Sequence, residues 1–284
     1  MDRFSKYNPK VTFLFFILVF IFTLSFFHPI FVLISFIAAL GYKFKLDGRK
    51  TFFYLFKFIL PIIFLITLFN FIFAHYGVTT LFTVHDIYFT LESMFYGLCQ
   101  GTMFGAVIIW FSCYSMVVTS ECFISIFGRF APNIALVFSM VLSFIPRFRK
   151  NAQEINDARM LLNCEHNRLR KSISNFSALV TLTLEESIET ADSMKARGFG
   201  KGRTVYSKYK FSLSDGICMA VMIVLSVLLI VFKFNGSTQF LFEPVIKMTS
   251  FPMIPMIIFA IMMFLPMIID FEEDIRWHFL KQKV

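Results

Sequence analysis

Between Ala191 and Thr204 the chain reads ADSMKARGFGKGRT, three glycines set among two arginines and two lysines. A glycine-rich basic stretch can cradle a phosphate, so nucleotide binding is the first chemistry to weigh. A P-loop needs Gly-x-x-x-x-Gly-Lys-Ser/Thr between a strand and the mouth of a helix. Here a helical pattern precedes the glycines, Lys201 is followed by Gly202, and no strand–helix–strand unit surrounds them. The dinucleotide fingerprint fails on the same grounds. Upstream, Glu185, Glu189 and Asp192 fall at i, i+4 and i+7, a spacing that could hold a metal in a helical bundle. No histidine stands at the Glu-x-x-His spacing that such bundles use, so these carboxylates read as a solvated acidic face. The five cysteines (Cys99, Cys113, Cys122, Cys164 and Cys218) and five histidines are scattered without a CxxC pair or ligand spacing. No Ser, His and acid residues stand at the spacing of a catalytic dyad or triad. The expectation is therefore no catalytic residue, no metal and no cofactor held by this chain.

What remains is a pair of arginines. Ala158-Arg159 and Ala196-Arg197, the latter followed by Gly198, lie 38 residues apart, each near the end of a long amphipathic pattern. Singly, such an arginine is a solvated charge that suits the negative end of a helix. As a pair they also suit insertion into acidic grooves of a partner, where the planar guanidinium binds a carboxylate bidentately.

The elements that position these residues follow from composition. Of the 284 residues, 57% are hydrophobic and 16% charged, against roughly a quarter charged in soluble domains. With a mean hydropathy of +0.73, the chain reads as an all-α, polytopic membrane protein. Apolar runs near the length of a ~30 Å hydrocarbon core cover about 11–27, 29–42 (short, in a tight hairpin with the first), 51–73, 91–118, 215–234 and 251–270. Six spans are thus expected, with helices one to four in 1–118, a helical insert in 119–213, and helices five and six with a basic tail in 214–284. Lys57 lies inside the third span and can snorkel to the interface. No span carries an ionisable cluster of the kind that marks an ion path; Asp270 stands at a membrane boundary and Asn70 is a single amide.

Lysine and arginine placement sets the orientation. With the N-terminus in the cytoplasm, segments 1–10, 42–51, 119–213 and the tail after 270 carry 3, 4, 14 and 3 basic residues, 24 of the 27. Both termini and the insert are expected on the cytoplasmic side. The net charge of +9 is then a signature of membrane sidedness, and the partners expected are lipid and protein, not nucleic acid.

Within the insert, the 13 residues between Pro132 and Pro146 are too few to cross and read as a helix at the interface. Pro146 is expected to start a second, charged helix ending near 164–167. A further helix is expected over 172–197. In it Ile173, Phe176, Val180, Leu184, Ile188 and Ala191 recur at steps of three or four, an apolar stripe for packing. Gly198, Gly200 and Gly202 end it.

With these residues in hand, the chain resembles the transmembrane T component (the EcfT/CbiQ family) of energy-coupling factor transporters over nearly its whole length. The resemblance rests on Asn8-Pro9, His28-Pro29, Thr119-Ser120, LSFIPRFRKNAQEINDAR and, above all, ADSMKARGFGKGRT. The family's second signature, Ala-Arg-Gly, matches Ala196-Arg197-Gly198. The first corresponds to Ala158-Arg159-Met160, which keeps the arginine and lacks the glycine. The resemblance implies a non-catalytic scaffold in the plasma membrane of a prokaryote. In that family two crossed coupling helices dock their arginine tips into two ABC-type ATPase subunits, which bind ATP and Mg²⁺. Motion then passes to a small membrane-embedded substrate-binding subunit that releases a vitamin or metal ion inside. Carried over, Ala158, Arg159, Ala196, Arg197 and Gly198 would dock the ATPases. Ile173, Phe176, Val180, Leu184 and Ile188, with the run Ile134–Ile145, would hold the substrate-binding subunit and one another.

Three other readings stand beside it. One is a T component dedicated to cobalt, nickel or a thiamine precursor. A conventional ABC importer permease would show a Glu-Ala-Ala loop with a downstream glycine, which RKNAQEINDARMLLNCEHN lacks. A polytopic membrane enzyme would need an acid, base or metal cluster.

Overall fold

Two Xaa-Pro dipeptides start the first two helices. In a computed structural model, α1 (Pro9–Ser25) is capped by Asn8, whose side chain accepts from the Lys10 N–H at 3.2 Å. Helix α2 (Pro29–Asp47) is capped by His28, whose Nδ1 accepts from the Ile30 N–H at 3.2 Å. In each, the proline occupies the first helical position, where its missing N–H costs no intrahelical bond. The structure describes all residues except 1–3, 5–6, 75–78, 85–86, 129–130, 162–167, 200–210, 237–239, 242–246, 249–251 and 282–284.

Helix α3 (Lys50–Tyr54) runs through a π-helical turn at Leu55–Ile59 into α4 (Leu60–Phe73). The wide turn lies just ahead of Pro61, whose ring and missing N–H disturb the regular ladder of the preceding turn. After an antiparallel hairpin of β1 (Thr80–Val84) and β2 (Ile87–Thr90) comes α5 (Leu91–Val117). Helices α6 (Ser120–Phe127), α7 (Pro132–Leu161) and α8 (Arg168–Ala196) follow, then α9 (Leu213–Phe234), a small hairpin of β3 (Phe240–Leu241) and β4 (Lys247–Met248), and α10 (Met253–Lys281). The chain is an all-α polytopic membrane protein with two short hairpins in its connections.

Among the described residues, five helices are long and apolar enough to cross a membrane: Pro29–Asp47, Lys50–Phe73, Leu91–Val117, Leu213–Phe234 and Met253–Phe271. The sixth expected span is α1, whose 17 residues make a rod of about 26 Å, at the lower limit for crossing. The second span is not short. Nothing between Tyr42 and Asp47 breaks a helix, and α2 stops only at Gly48, whose φ of 61° suits glycine.

By contacts the chain divides into two compact units, residues 1–120 with 209–284, and residues 121–208. The first unit is centred on aromatic rings. Phe15, Phe16 and Tyr114 meet edge to face with one another or with Trp110 at centroid distances of 5.4–6.4 Å. The Trp110 Nε1–H donates to Ser35 Oγ at 3.2 Å, and Ser35 pairs with Thr23 at 2.9 Å, so the indole N–H and these two hydroxyls are satisfied within the bundle.

Helix α5 carries Gly97, Gly101 and Gly105 at strict four-residue spacing against α4. A Cβ on Gly101 would stand 3.0 Å from the Ile63 carbonyl oxygen and 3.2 Å from its Cα; one on Gly97 would stand 2.7 Å from Asn70 Cβ. This flat ridge lets the two backbones touch, the usual basis of helix association where lipid competes for apolar contact. The Asn70 Nδ2–H donates to Gln100 Oε1 at 3.0 Å and fixes the register.

In the second unit Pro146 does not separate two helices. Residues Pro132–Leu161 form one helix of 30 residues with Pro146 inside it. An internal proline removes one N–H from the ladder and is tolerated when the turns on both sides remain helical.

Candidate functional site

Helices α7 and α8 present the two arginines. Asn151 Nδ2 donates to Glu186 Oε1 at 3.2 Å, Asn175 Nδ2 to Asn156 Oδ1 at 3.5 Å, and Arg159 Nη2 to the Ser174 carbonyl at 3.2 Å. As residue numbers rise along α7 they fall along α8, so the helices are antiparallel. Arg159 therefore lies beside the first turns of α8, and Arg197 follows its last residue. From Ser174 to Arg197 the helix rises about 34 Å, which places the two guanidinium-bearing positions at opposite ends of the pair.

Their surroundings differ. Arg159 is half-buried and tied to α8 through Ser174, whereas Ala158, Ala196, Arg197 and Gly198 are exposed. Gly198 has φ +80°. Its N–H donates to the Lys195 carbonyl at 2.9 Å and the Phe199 N–H to the Met194 carbonyl at 3.0 Å, a Schellman stop with the glycine in the left-handed position. A Cβ there would meet nothing within 4 Å. Within this chain the glycine thus serves the backbone angle and not a close approach. Gly198→Ala is expected to weaken the stop by about 1–2 kcal/mol, seen as faster hydrogen exchange at the amides of 198 and 199 with the rest of α8 unchanged. Gly200, Lys201, Gly202, Arg203 and Thr204 lie outside the described residues, as does Cys164.

The apolar stripe is not covered by α7. Ile173, Phe176, Leu184 and Ile188 are 60–69% exposed and Val180 37%. The helices meet instead through the amides, Glu186 and Arg159 named above. The expectation that the stripe and the run Ile134–Ile145 hold each other is thereby corrected: the half-buried face of α8 is the mixed one with Ser174, Asn175, Ala178, Leu179 and Glu186, and the stripe is left exposed. Ile134 is itself 68% exposed. Glu185, Glu189 and Asp192 are also exposed, with Asp192 in an i, i+3 pair to Lys195 at 3.6 Å. Among the described residues no group of three or more His, Cys, Asp or Glu side chains could hold a metal ion, and Cys99, Cys113, Cys122 and Cys218 form no disulfide.

The first unit holds charged residues whose placement the sequence did not reveal. Lys43, expected in a cytoplasmic turn, lies in α2 and is buried; its ammonium bonds to Ser112 Oγ on α5 and sits 3.7 Å from the centre of the Tyr54 ring. A hydroxyl and an aromatic face together compensate a cation removed from water. Asp215 and Asp270 are buried as well. The signal for the glycine ridge was present as Gly-x-x-x-Gly-x-x-x-Gly in GLCQGTMFG; no local pattern marks Lys43 or the aspartates as buried.

No family model matches the chain. Over 112 residues it is 28% identical to the energy-coupling factor transporter transmembrane protein EcfT of Bacillus selenitireducens, a match covering 37% of this chain. The matched part spans 42% of that relative's length. It is a similarity to a transport protein of the membrane, and it agrees with the apolar helices in making this chain a membrane protein.

Proposed function

We propose that the chain is the T component of an energy-coupling factor importer: a non-catalytic membrane scaffold with both termini and residues 119–213 in the cytoplasm of a prokaryote. Two ABC-type ATPase subunits, which bind ATP and Mg²⁺, dock at the two ends of the α7–α8 pair. Ala158 and Arg159 meet one, and Ala196, Arg197 and Gly198 meet the other. A small membrane-embedded substrate-binding subunit lies on Ile173, Phe176, Val180, Leu184 and Ile188. The cargo is a vitamin or a transition-metal ion held by that subunit.

The observation that carries this reading is the similarity to EcfT. Two features of the geometry support it. A single soluble subunit bound at one tip leaves the other, about 34 Å away, open to a second. A contiguous apolar stripe exposed on a helix of a charged unit is a surface that calls for a protein or a membrane to cover it. A pull-down of tagged chain from its host membranes in mild detergent, read by mass spectrometry, tests the reading. Two ABC-type ATPases and a small integral membrane protein are expected. Recovery of none of them, under conditions that keep other membrane complexes intact, overturns it.

A further inference from the structure

Two buried carboxylates stand at one end of the bundle, and part of what satisfies each of them is backbone ahead of α1. The Phe4 N–H donates to Asp270 Oδ1 at 3.3 Å, and the Asn8 N–H donates to Asp215 Oδ1 at 3.4 Å. Asp270 lies on α10 and also pairs with Lys45 of α2 at 3.3 Å. Asp215 lies in the first turn of α9, where its Oδ2 accepts from the Ser212 N–H at 2.8 Å. Both side chains are nearly inaccessible, at 3% and 5%, so every bond to them replaces water that has been excluded. The segment is also held by its own side chains. Phe4 is fully buried, its ring 5.2 Å from Phe15 of α1, 6.4 Å from Tyr42 of α2 and 6.3 Å from Tyr7. Asn8 caps α1 with its side chain while its backbone N–H reaches α9.

Phe4 and Asn8 therefore tie α1, α2, α9 and α10 together at the end where α9 begins. The start of α9 is also where the chain returns from the 121–208 unit, Leu213 standing five residues after Lys208. In chain order, the first helical turn after that return is the one that carries Asp215. With Phe4 and Asn8 in place, the turn is bonded to the residue that caps α1, and Phe4 and Asp270 join α1 to α2 and α10. Without them, the first turn of α9 frays.

We propose that Phe4, Asn8, Asp215 and Asp270 are positioning residues that fasten the first turn of α9 to the rest of the membrane unit, so that displacement of the 121–208 unit moves the bundle as one body. The fastening itself stands on the structure alone; its role in coupling rests on the importer reading above.

The experiment uses the full chain and two variants. Phe4→Ala removes the buried ring. Asp215→Asn keeps size and shape but leaves one acceptor oxygen for two backbone donors. In the purified chain, hydrogen exchange at the Gly216–Ala220 amides is expected to rise about tenfold in Asp215→Asn, the scale set by one unsatisfied buried group, and to rise in Phe4→Ala as well, with Leu91–Val117 unchanged in both. Exchange that stays at the wild-type rate at Gly216–Ala220 in both variants, or that rises equally throughout α5, overturns the fastening whatever the protein transports. In the complex recovered with its ATPases and reconstituted in liposomes, ATP hydrolysis and subunit recovery are expected to persist. Uptake per ATP hydrolysed is expected to fall about fivefold or more, the lower range of measured couplings between sites. Faster exchange with uptake per ATP unchanged overturns the coupling role and leaves the fastening.

Discussion

Arg197→Glu is expected to abolish recovery of one of the two ATPases while the isolated chain stays folded. Arg197 is exposed just past the last residue of α8, so its charge contributes to this chain only through the helix end, about 0.3–1 kcal/mol. The melting temperature should fall by no more than about 3 °C. At a docked carboxylate the same change removes a bidentate donor and sets like charges together. Breaking such a pair costs about 2–5 kcal/mol, or roughly 30-fold or more in affinity. Arg159→Glu is the less clean experiment, because that guanidinium already donates to the Ser174 carbonyl. Its reversal faces a carboxylate with a carbonyl oxygen and loosens α7 from α8 before any partner is considered. Comparing the two by pull-down and thermal unfolding separates docking from internal support. Retention of both ATPases by Arg197→Glu would remove the docking role from this residue and leave the scaffold reading without its second anchor.

Gly101→Leu should have the largest effect on folding. The atoms nearest a new Cβ are the Ile63 carbonyl oxygen and Cα, at 3.0 and 3.2 Å. Backbone atoms cannot turn aside as a side chain can, so α4 must move away from α5 along its length. Overpacking costs about 1–3 kcal/mol where neighbours can adjust; here the Asn70–Gln100 hydrogen bond is lost with the register. A destabilisation of about 3 kcal/mol or more follows, a fall of roughly 6–12 °C in melting temperature for a chain of this size, and much of the protein should emerge aggregated in size-exclusion chromatography. Gly105→Ala is the contrast. Its nearest neighbours are side-chain carbons, Ile59 Cγ2 at 3.2 Å and Ile63 Cδ1 at 3.3 Å, which must give by only a few tenths of an ångström, and the variant should be far less destabilised than Gly101→Leu. Equal behaviour of the two variants would show that the backbones do not need to touch.

The spans from Lys50 onward were legible because membrane burial demands an unbroken apolar run, and such runs declare themselves. The start of α2 at Pro29 was legible for the same local reason; Asn8-Pro9 carries the same cap-and-proline signal, but the first run was expected only from residue 11 and α1 starts at Pro9. What was not legible depends on residues far away in the chain. Lys43 reads as the end of a span because lysine usually marks water. It is buried because Ser112 and Tyr54, on two other helices, meet its ammonium. Pro146 reads as a start, but whether a proline divides a helix or merely interrupts its ladder depends on what lies on either side, and both sides here are strong helix. The stripe on α8 was identified correctly as a face, yet periodicity carries no information about which neighbour takes which face. The amides and Glu186, not the stripe, lie toward α7. The hairpins at 80–90 and 240–248 were passed over as connections, although alternating Thr, Phe, Val, Ile and Tyr in TTLFTVHDIYFT carries a strand pattern.

The uncovered stripe of α8 also bears on how much of this protein a cell can keep. Leu169, Ile173, Phe176, Leu184 and Ile188 are displayed with no described residue of the chain laid over them. Contiguous apolar surface of that kind is what chaperones bind and quality-control proteases select. With the covering subunit proposed above, an orphan copy is expected to be shorter-lived than an assembled one, and the standing amount of the chain to follow the supply of that subunit. Raising expression of this chain by itself should yield turnover; raising it together with its cover should yield protein.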